Sequence, residues 1–260
     1  KMVVLACNTA TAVAVKYLRE KYPNIPFVGL EPAVKPAALT TKSGVIGVLA
    51  TERSLQGNHF RCAEERYGAD VKILKRVGEG FVEAVENNAE YSAETAELVR
   101  KAVEPLVAGG ADRIVLGCTH YPFLLNTLNE TIEQLKNFRD KDGKLVYEGL
   151  IHPDFEFIDP AVFTALECYE ALREDNNLAL NTVEGAFEGY ISVPAYGLPA
   201  DCLDADGNLS YNFKYGREHA TEDITTVFVP FSRRYLDEET LARIENMLPA
   251  SYAKIKKFID

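Results

Sequence analysis

Short apolar runs alternate with longer amphipathic segments along the first 175 residues. The apolar runs predict strands at residues 2–7, 25–30, 44–49, 70–75, 113–118 and 155–159. The segments between them have the spacing of helices, at residues 9–22, 33–41, 51–67, 78–88, 92–109, 121–138 and 160–174. Nearly continuous apolar strands are typical of parallel sheets covered on both faces. The pattern therefore predicts an α/β fold with parallel sheets.

The pattern changes after about residue 176, where Tyr, Gly, Asn and Pro become frequent. The stretch "DADGN" at 204–208 predicts a hairpin turn, and residues 220–231 read as a strand. Residues 237–259 have the periodicity of one or two closing helices. We expect residues 176–260 to form a C-terminal α+β extension, whose role the sequence does not indicate.

Two segments of the predicted α/β region match each other. "VVLACNTAT" at 3–11 aligns without a gap with "IVLGCTHYP" at 114–122, which places Cys7 on Cys118. Such self-similarity suggests two related α/β units. Both cysteines follow a strand at its carboxyl end, where open α/β sheets bind ligands. Both also precede a helix, whose N-terminus favours anions and lowers the pKa of a thiol.

A single cysteine at the end of a strand is more often a small buried hydrophobe than a reactive group. The matched contexts of Cys7 and Cys118, with His120 two positions further on, favour a chemical role instead. Two thiols without a redox motif can remove a proton from one face of a carbon and deliver another to the opposite face. We assign the other cysteines to packing: Cys62, Cys168 and Cys202.

The overall composition argues against several other classes of function. The net charge is −11, and no Lys/Arg-rich stripe could neutralise a run of phosphates, so nucleic acid is not an expected partner. The longest apolar stretches are shorter than the roughly 20 residues of a membrane span. Five irregularly spaced cysteines without a CxxC pair indicate neither a disulfide framework nor a metal site, and favour the cytoplasm. Nothing resembles a pyridoxal-phosphate lysine or a glycine-rich phosphate loop, so no cofactor is expected.

At these residues the chain resembles the glutamate racemase family, within the cofactor-independent aspartate/glutamate racemase superfamily. Five motifs occur in the family's order: "ACNTATA" (6–12), "GLEPAVKPA" (29–37), "GVIGVLAT" (44–51), "LGCTHYPFL" (116–124) and "FEFIDPA" (155–161). The resemblance covers about residues 1–174. It implies cofactor-free interconversion of L- and D-glutamate, which supplies D-glutamate for peptidoglycan.

The resemblance also implies roles for individual residues. Cys7 and Cys118 would be the opposed acid/base thiols, with Cys7 acting on the D enantiomer and Cys118 on the L enantiomer. His120 would assist Cys118, and Glu86 stands where the family has an acidic residue implicated in catalysis. From the residues alone, His120 could equally be a hydrogen-bonded structural histidine and Glu86 a solvated helix carboxylate. The residues expected to hold the substrate are Asn8, Thr9, Thr51 and Thr119, of which Asn8, Thr9 and Thr119 also suit helix N-caps.

The family's layout implies two pseudo-symmetric parallel-sheet domains with the active site in the cleft between them. Residues 1–30 and 141–175 would form the first domain, and residues 31–140 the second. The expected partner is a small-molecule substrate, L- or D-glutamate, and a homodimer is one option for the assembly.

The chain departs from the family pattern at its start and at residue 48. No strand ending in Asp-Ser and no Pro-Tyr-Gly segment precedes Lys1. We therefore expect an N-terminally truncated copy that lacks about 60 residues, the size of one βαβα portion. That loss would remove an aspartate expected to assist Cys7, leave the activity of this chain in doubt and expose sheet edges. Val48 stands where the family usually has Thr.

Three other functions remain open from the sequence. Aspartate racemase belongs to the same superfamily and uses the same chemistry. A non-catalytic glutamate-binding scaffold would keep the fold without turnover. Cys118 with His120 could also act as a thiol nucleophile in acyl transfer, in which case Cys7 would be dispensable.

Overall fold

The computed structural model describes residues 1–31, 33–68, 70–179, 185–215 and 224–259. Their contacts divide the chain into two compact units, Lys1–Leu180 and Asn181–Asp260. The first unit contains two parallel sheets with helices around them, which confirms the predicted α/β class. All six predicted strands are present, with ends shifted by a few residues.

The smaller sheet consists of two parallel strands, β1 (Val3–Leu5) and β2 (Phe27–Gly29). Helix α1 (Asn8–Lys21) connects them, and the Arg19 guanidinium donates two hydrogen bonds to the carbonyl oxygen of Phe27, at 2.7 and 3.1 Å. β2 is buried along its length, whereas Val3 and Val4 of β1 are 42% and 45% exposed. This sheet therefore leaves apolar strand residues open to solvent.

The larger sheet has the strand order β4-β3-β5-β6, with all neighbours parallel. Its strands are β3 (Val45–Ala50), β4 (Lys72–Val77), β5 (Arg113–Leu116) and β6 (Glu156–Ile158). The central strands β3 and β5 are almost entirely buried, as their apolar sequences predict. β4 is an edge strand, and its exposed Lys72, Lys75 and Arg76 discourage pairing with a further strand.

The helices of the first unit follow the predicted segments closely. They are α2 (Val34–Thr40), α3 (Glu52–Gln56), α4 (Asn58–Tyr67), α5 (Phe81–Glu86), α6 (Ala93–Ala108), α7 (Leu125–Lys136) and α8 (Pro160–Glu174). A 3-10 turn, Tyr121–Leu124, precedes α7. The single helix predicted at 51–67 is wrong, because Gly57 adopts extended dihedral angles and separates α3 from α4. Ser92 caps α6, accepting a hydrogen bond from the Thr95 N–H.

The segment 141–175 contacts both sheets. β6 pairs with β5 and so belongs to the larger sheet, although the family's layout implied that this segment returns to the domain of the smaller one. α8 follows β6 and packs against β2. The chain therefore crosses from one sheet to the other at the β6–α8 turn, where Asp159 accepts a hydrogen bond from the Ala161 N–H.

The second unit has an α+β composition, as predicted. Two antiparallel strands, β7 (Tyr190–Pro194) and β8 (Thr226–Pro230), form its sheet. A turn is built on Asp204, whose carboxylate accepts the N–H groups of Asp206 and Asn208. Its helices are α9 (Tyr211–Tyr215), α10 (Glu238–Met247) and α11 (Pro249–Ile259), with a 3-10 turn at Ala200–Cys202. Its core contains Leu236, Leu241, Ile255 and Ile259.

In the part of the chain that the structure describes, none of the helices has the length and apolar character needed to cross a membrane.

Candidate functional site

Cys7 lies at the junction of β1 and α1. Its extended backbone, with φ −154° and ψ 123°, makes it the N-cap of α1, but its side chain forms no capping hydrogen bond. The N-cap is therefore Cys7 and not Asn8 or Thr9, since Asn8 is already the first helical residue. The Cys7 residue is exposed. A thiol at this position faces solvent beside unpaired N–H groups of the helix N-terminus.

Cys118 follows β5, separated from it by Gly117. The Gly117 N–H donates to the carbonyl oxygen of Leu49 at 2.6 Å. A Cβ at position 117 would lie 2.8 Å from the Cβ of Ala50 and 2.9 Å from the Leu49 oxygen, so this close approach requires glycine. The contact brings Cys118 next to the end of β3, where Thr51 begins the following loop.

We call the turns after β1 and β5, which carry Cys7 and Cys118, the cysteine loops, and Asn8 joins them. Its Nδ2 donates to the Gly117 carbonyl oxygen at 2.9 Å, and the residue is only 7% exposed. Its Oδ1 is buried without a hydrogen-bond partner among the described residues. A buried acceptor of this kind is costly unless a ligand or water satisfies it. The loop at the end of the smaller sheet is thus attached to the loop at the end of the larger sheet.

Burial raises the pKa of the Cys118 thiol above its usual value, and the negative charge of Cys7 raises it further. Hydrogen bonds from the backbone N–H groups of His120 and Thr119 act in the opposite direction without overcoming burial. The lowered thiol pKa expected from the helix N-terminus is therefore wrong for Cys118, because desolvation of the thiolate outweighs the dipole. The contribution of Cys7 to this shift indicates that the two thiols lie within electrostatic reach of each other.

His120 lies between Cys118 and Glu86. Its Nδ1 is 3.7 Å from the Cys118 Sγ, and its Nε2 is 3.5 Å from a carboxylate oxygen of Glu86. Glu86 is the last residue of α5, and its side chain is half exposed. The structure thus brings Glu86 next to Cys118 and His120, which lie far from it in the sequence. A carboxylate on Nε2 favours the tautomer in which Nδ1 is free to accept the thiol proton.

The three threonines differ in their surroundings. Thr51 is the N-cap of α3; its hydroxyl accepts the Ser54 N–H at 3.3 Å and contacts the Ser54 hydroxyl at 2.9 Å. Thr9 and Thr119 are half-buried. Thr9 lies two positions after Cys7, and Thr119 directly follows Cys118. Thr119 also contributes its backbone N–H to Cys118. The hydroxyl of Thr51 is therefore engaged in capping.

Tyr121 and Gly78 are parts of this site that sequence reasoning missed. The Tyr121 side chain is fully buried, its hydroxyl donates to the Gly78 carbonyl oxygen at 3.4 Å, and its ring meets Phe81 edge to face with centroids 5.0 Å apart. Burial raises the pKa of Tyr121 far above its usual value, so the phenol stays protonated. The signal in the sequence was the aromatic residue directly after His120.

No group of three or more His, Cys, Asp or Glu side chains within the described ranges is arranged to hold a metal ion. All five cysteines are free thiols.

Comparison with known proteins points to one family. The Asp/Glu/Hydantoin racemase family matches residues 1–138. A glutamate racemase from Ectopseudomonas mendocina is 50% identical over 132 residues, which are 51% of this chain and 50% of that protein. A glutamate racemase from Pseudomonas syringae pv. tomato is 48% identical over 132 residues, which are 51% and 48% of the two chains. The chain thus spans about half the length of the curated relatives it matches.

Solved structures show the same likeness. A glutamate racemase isoform from Bacillus anthracis superposes with a TM-score of 0.56 at 30% identity, covering 70% of this chain and 61% of that one. A glutamate racemase from Escherichia coli, solved with L-glutamate and an activator, gives a TM-score of 0.50 at 27% identity over 66% and 58% of the chains. Together with the family match over more than half of its length, these likenesses show that this chain belongs to the Asp/Glu/hydantoin racemase family.

Proposed function

We propose that this chain interconverts L- and D-glutamate by a two-base mechanism in which Cys7 and Cys118 act on opposite faces of the α-carbon. The observation that carries the proposal is the Asn8–Gly117 hydrogen bond, because it joins the two cysteine loops across the two sheets. The electrostatic influence of Cys7 on Cys118 supports a shared site. The glutamate racemase relatives support the substrate.

For L-glutamate, the Cys118 thiolate removes the α-proton, and the electron pair of the broken C–H bond remains on the α-carbon. Cys7 then donates its thiol proton to the opposite face, which yields D-glutamate and a Cys7 thiolate. The reverse reaction uses the same groups in exchanged roles. A thiol with a raised pKa is a stronger base once ionised, which suits proton removal from a weak carbon acid.

His120 and Glu86 support the Cys118 half of the reaction. With its Nε2 beside the Glu86 carboxylate, the imidazole can take the proton from the Cys118 thiol through Nδ1 and stabilise the thiolate as an ion pair. Glu86 in turn stabilises the imidazolium through its negative charge. These two residues therefore act before the chemical step, by preparing Cys118 in its basic form.

The substrate's polar groups match the remaining residues of the site. The unpartnered Oδ1 of Asn8 can accept a hydrogen bond from the α-ammonium group. The hydroxyls of Thr9 and Thr119 can donate to carboxylate oxygens, while Thr51 contributes mainly by shaping the loop after β3. The product would be D-glutamate for peptidoglycan, made in the cytoplasm, where free thiols persist.

The test is α-proton exchange in deuterated water, followed by proton NMR with each enantiomer of glutamate. The chain should exchange the α-proton of both, and Cys7→Ala and Cys118→Ala should each lower racemisation at least about 100-fold, the order expected for loss of an essential acid/base group. Cys62→Ala serves as the matched thiol control, since Cys62 is exposed on α4. Racemisation that persists at the wild-type rate in either variant would contradict the proposal.

Two further measurements separate the alternatives. Faster turnover of aspartate than of glutamate would reassign the substrate. Calorimetric binding of glutamate without any exchange would instead support a non-catalytic scaffold.

A further inference from the structure

Tyr121 connects the two segments proposed to act with Cys118, the one that carries His120 and helix α5, which ends in Glu86. It directly follows His120 in the chain, and its fully buried ring packs edge to face on Phe81, the first residue of α5. Its hydroxyl donates to the carbonyl oxygen of Gly78, in the loop between β4 and α5. The helix that ends in Glu86 therefore begins against the side chain of His120's neighbour.

Gly78 leaves the space that the Tyr121 side chain occupies. A Cβ at position 78 would lie 2.6 Å from the Tyr121 hydroxyl oxygen, 2.7 Å from Cζ and 2.8 Å from the Phe81 ring. Contacts this short exclude every residue except glycine. The loop then turns through Gly80, whose φ of 74° makes it the left-handed N-cap of α5. The path of the chain into α5 is thus matched to the buried phenol.

The position of Glu86 depends on the tertiary contacts of α5, which come from Phe81 and Val85 in the main core, and Phe81 packs on Tyr121. α5 has six residues, too few to be stable without tertiary contacts. The Glu86 side chain is 50% exposed and reaches His120 only at 3.5 Å, so a small displacement of α5 would break the contact. An exposed ion pair of this kind is too weak to hold its two side chains in place.

We infer that Tyr121 is a positioning residue, which holds α5 so that the Glu86 carboxylate stays against His120 and His120 stays against Cys118. The inference rests on the proposed function of these three residues. Its test measures Cys118 directly and requires no turnover, so its outcome is independent of whether the chain racemises glutamate.

The experiment is a double-mutant cycle on the reactivity of the Cys118 thiol. Wild type, Tyr121→Phe, Glu86→Ala and the double variant are treated with iodoacetamide at pH 7, and peptide mass spectrometry gives the alkylation rate of each cysteine. Alkylation follows the thiolate fraction, which His120 and Glu86 sustain. Tyr121→Phe keeps the buried ring and removes only the hydroxyl. We expect it to slow Cys118 by about fivefold, the order expected when one hydrogen bond is loosened.

Glu86→Ala should slow Cys118 at least as much, and the double variant should be no slower than Glu86→Ala alone, because Tyr121 acts through Glu86. Tyr147→Phe is the matched control, since it removes another buried tyrosine hydroxyl, bonded to Glu104. It should leave the alkylation rate of Cys118 unchanged. The alkylation rate of exposed Cys62 should be the same in every variant. An unchanged rate in Tyr121→Phe or in Glu86→Ala, multiplicative effects in the double variant, or an equal loss in Tyr147→Phe would overturn the inference.

Discussion

The side-chain amide of Asn8 donates a hydrogen bond to the backbone carbonyl of Gly117 at 2.9 Å, although Asn8 lies where the loop after β1 passes into α1 and Gly117 lies in the loop after β5 of the other sheet. Each loop carries one cysteine, Cys7 directly before Asn8 and Cys118 directly after Gly117. One buried side chain therefore contributes to the relative position of the two thiols. The same side chain carries a buried oxygen without a hydrogen-bond partner among the described residues.

Asn8→Ala should destabilise the first unit by about 1 to 2 kcal/mol, because it removes the donor and leaves the Gly117 carbonyl oxygen buried without its partner. Urea denaturation followed by circular dichroism measures the change. Thr9→Ala, one position further along α1, is the matched control and should cost less. Equal unfolding midpoints for Asn8→Ala and wild type would show that the hydrogen bond does not hold the loops together.

Cys7→Ala should lower the pKa of Cys118. The charge of Cys7 is one of the causes that raise this pKa, so its removal favours the Cys118 thiolate. The pH profile of Cys118 alkylation should therefore move to lower pH, with burial keeping the pKa above its usual value. Cys62→Ala should leave the profile in place. A profile that does not move, or moves to higher pH, would mean that the thiols are not coupled.

Asp112→Asn should lower stability near pH 7 by about 2 to 3 kcal/mol, as expected for hydrogen bonds to a buried charge. Burial alone would raise the pKa of Asp112, but hydrogen bonds from Thr41 and from the backbone N–H groups of Lys42 and Ser43 hold it below its usual value. The ionised carboxylate thus stabilises the fold above the pKa of the unfolded chain, near 3.8.

This stabilisation is lost as the pH falls below about 4 toward the lower pKa of the folded state. The difference in the free energy of unfolding between wild type and Asp112→Asn should therefore shrink over that interval. Asp142→Asn, at an exposed position, should differ little from wild type at either pH. A difference independent of pH would contradict this account of Asp112.

Exposed apolar residues on α1 should cause self-association. Val13 is 76% exposed and Tyr17, one helical turn further on, is 58% exposed. The double variant Val13→Lys/Tyr17→Lys should raise the monomer fraction in sedimentation velocity experiments at increasing concentration. Leu39→Lys is the control, because Leu39 is 74% exposed but lies on α2. A wild-type protein that stays monomeric at all concentrations would remove the basis of this prediction.

The hydrophobic pattern was sufficient to predict the six strands of the first unit and most of its helices, because burial on both faces gives parallel strands a distinctive apolar signature. It did not predict the break at Gly57, since glycine is tolerated within helices and only its extended backbone here separates α3 from α4. It also did not predict that β6 pairs with β5 while α8 packs on β2, because pairing partners depend on tertiary contacts.

For the site, the paired cysteine motifs were enough to identify Cys7 and Cys118 as candidates, and family resemblance added His120 and Glu86. The raised pKa of Cys118 could not be predicted, because it depends on how completely the folded chain desolvates the thiol. The fit of Tyr121 against Gly78 could not be predicted either. The two residues are 43 positions apart in the sequence, and the side chain of one meets the missing Cβ of the other only after folding.

The central position of β3 in the larger sheet has a consequence for how this protein emerges from the ribosome. β3 can pair with β4 as soon as both have been synthesised, but its other edge stays open until β5 follows, after α5 and α6. A nascent chain that ends within α6 therefore carries an apolar strand with one unpaired edge, which is a template for aggregation. Protection by chaperones would matter most during this interval of translation.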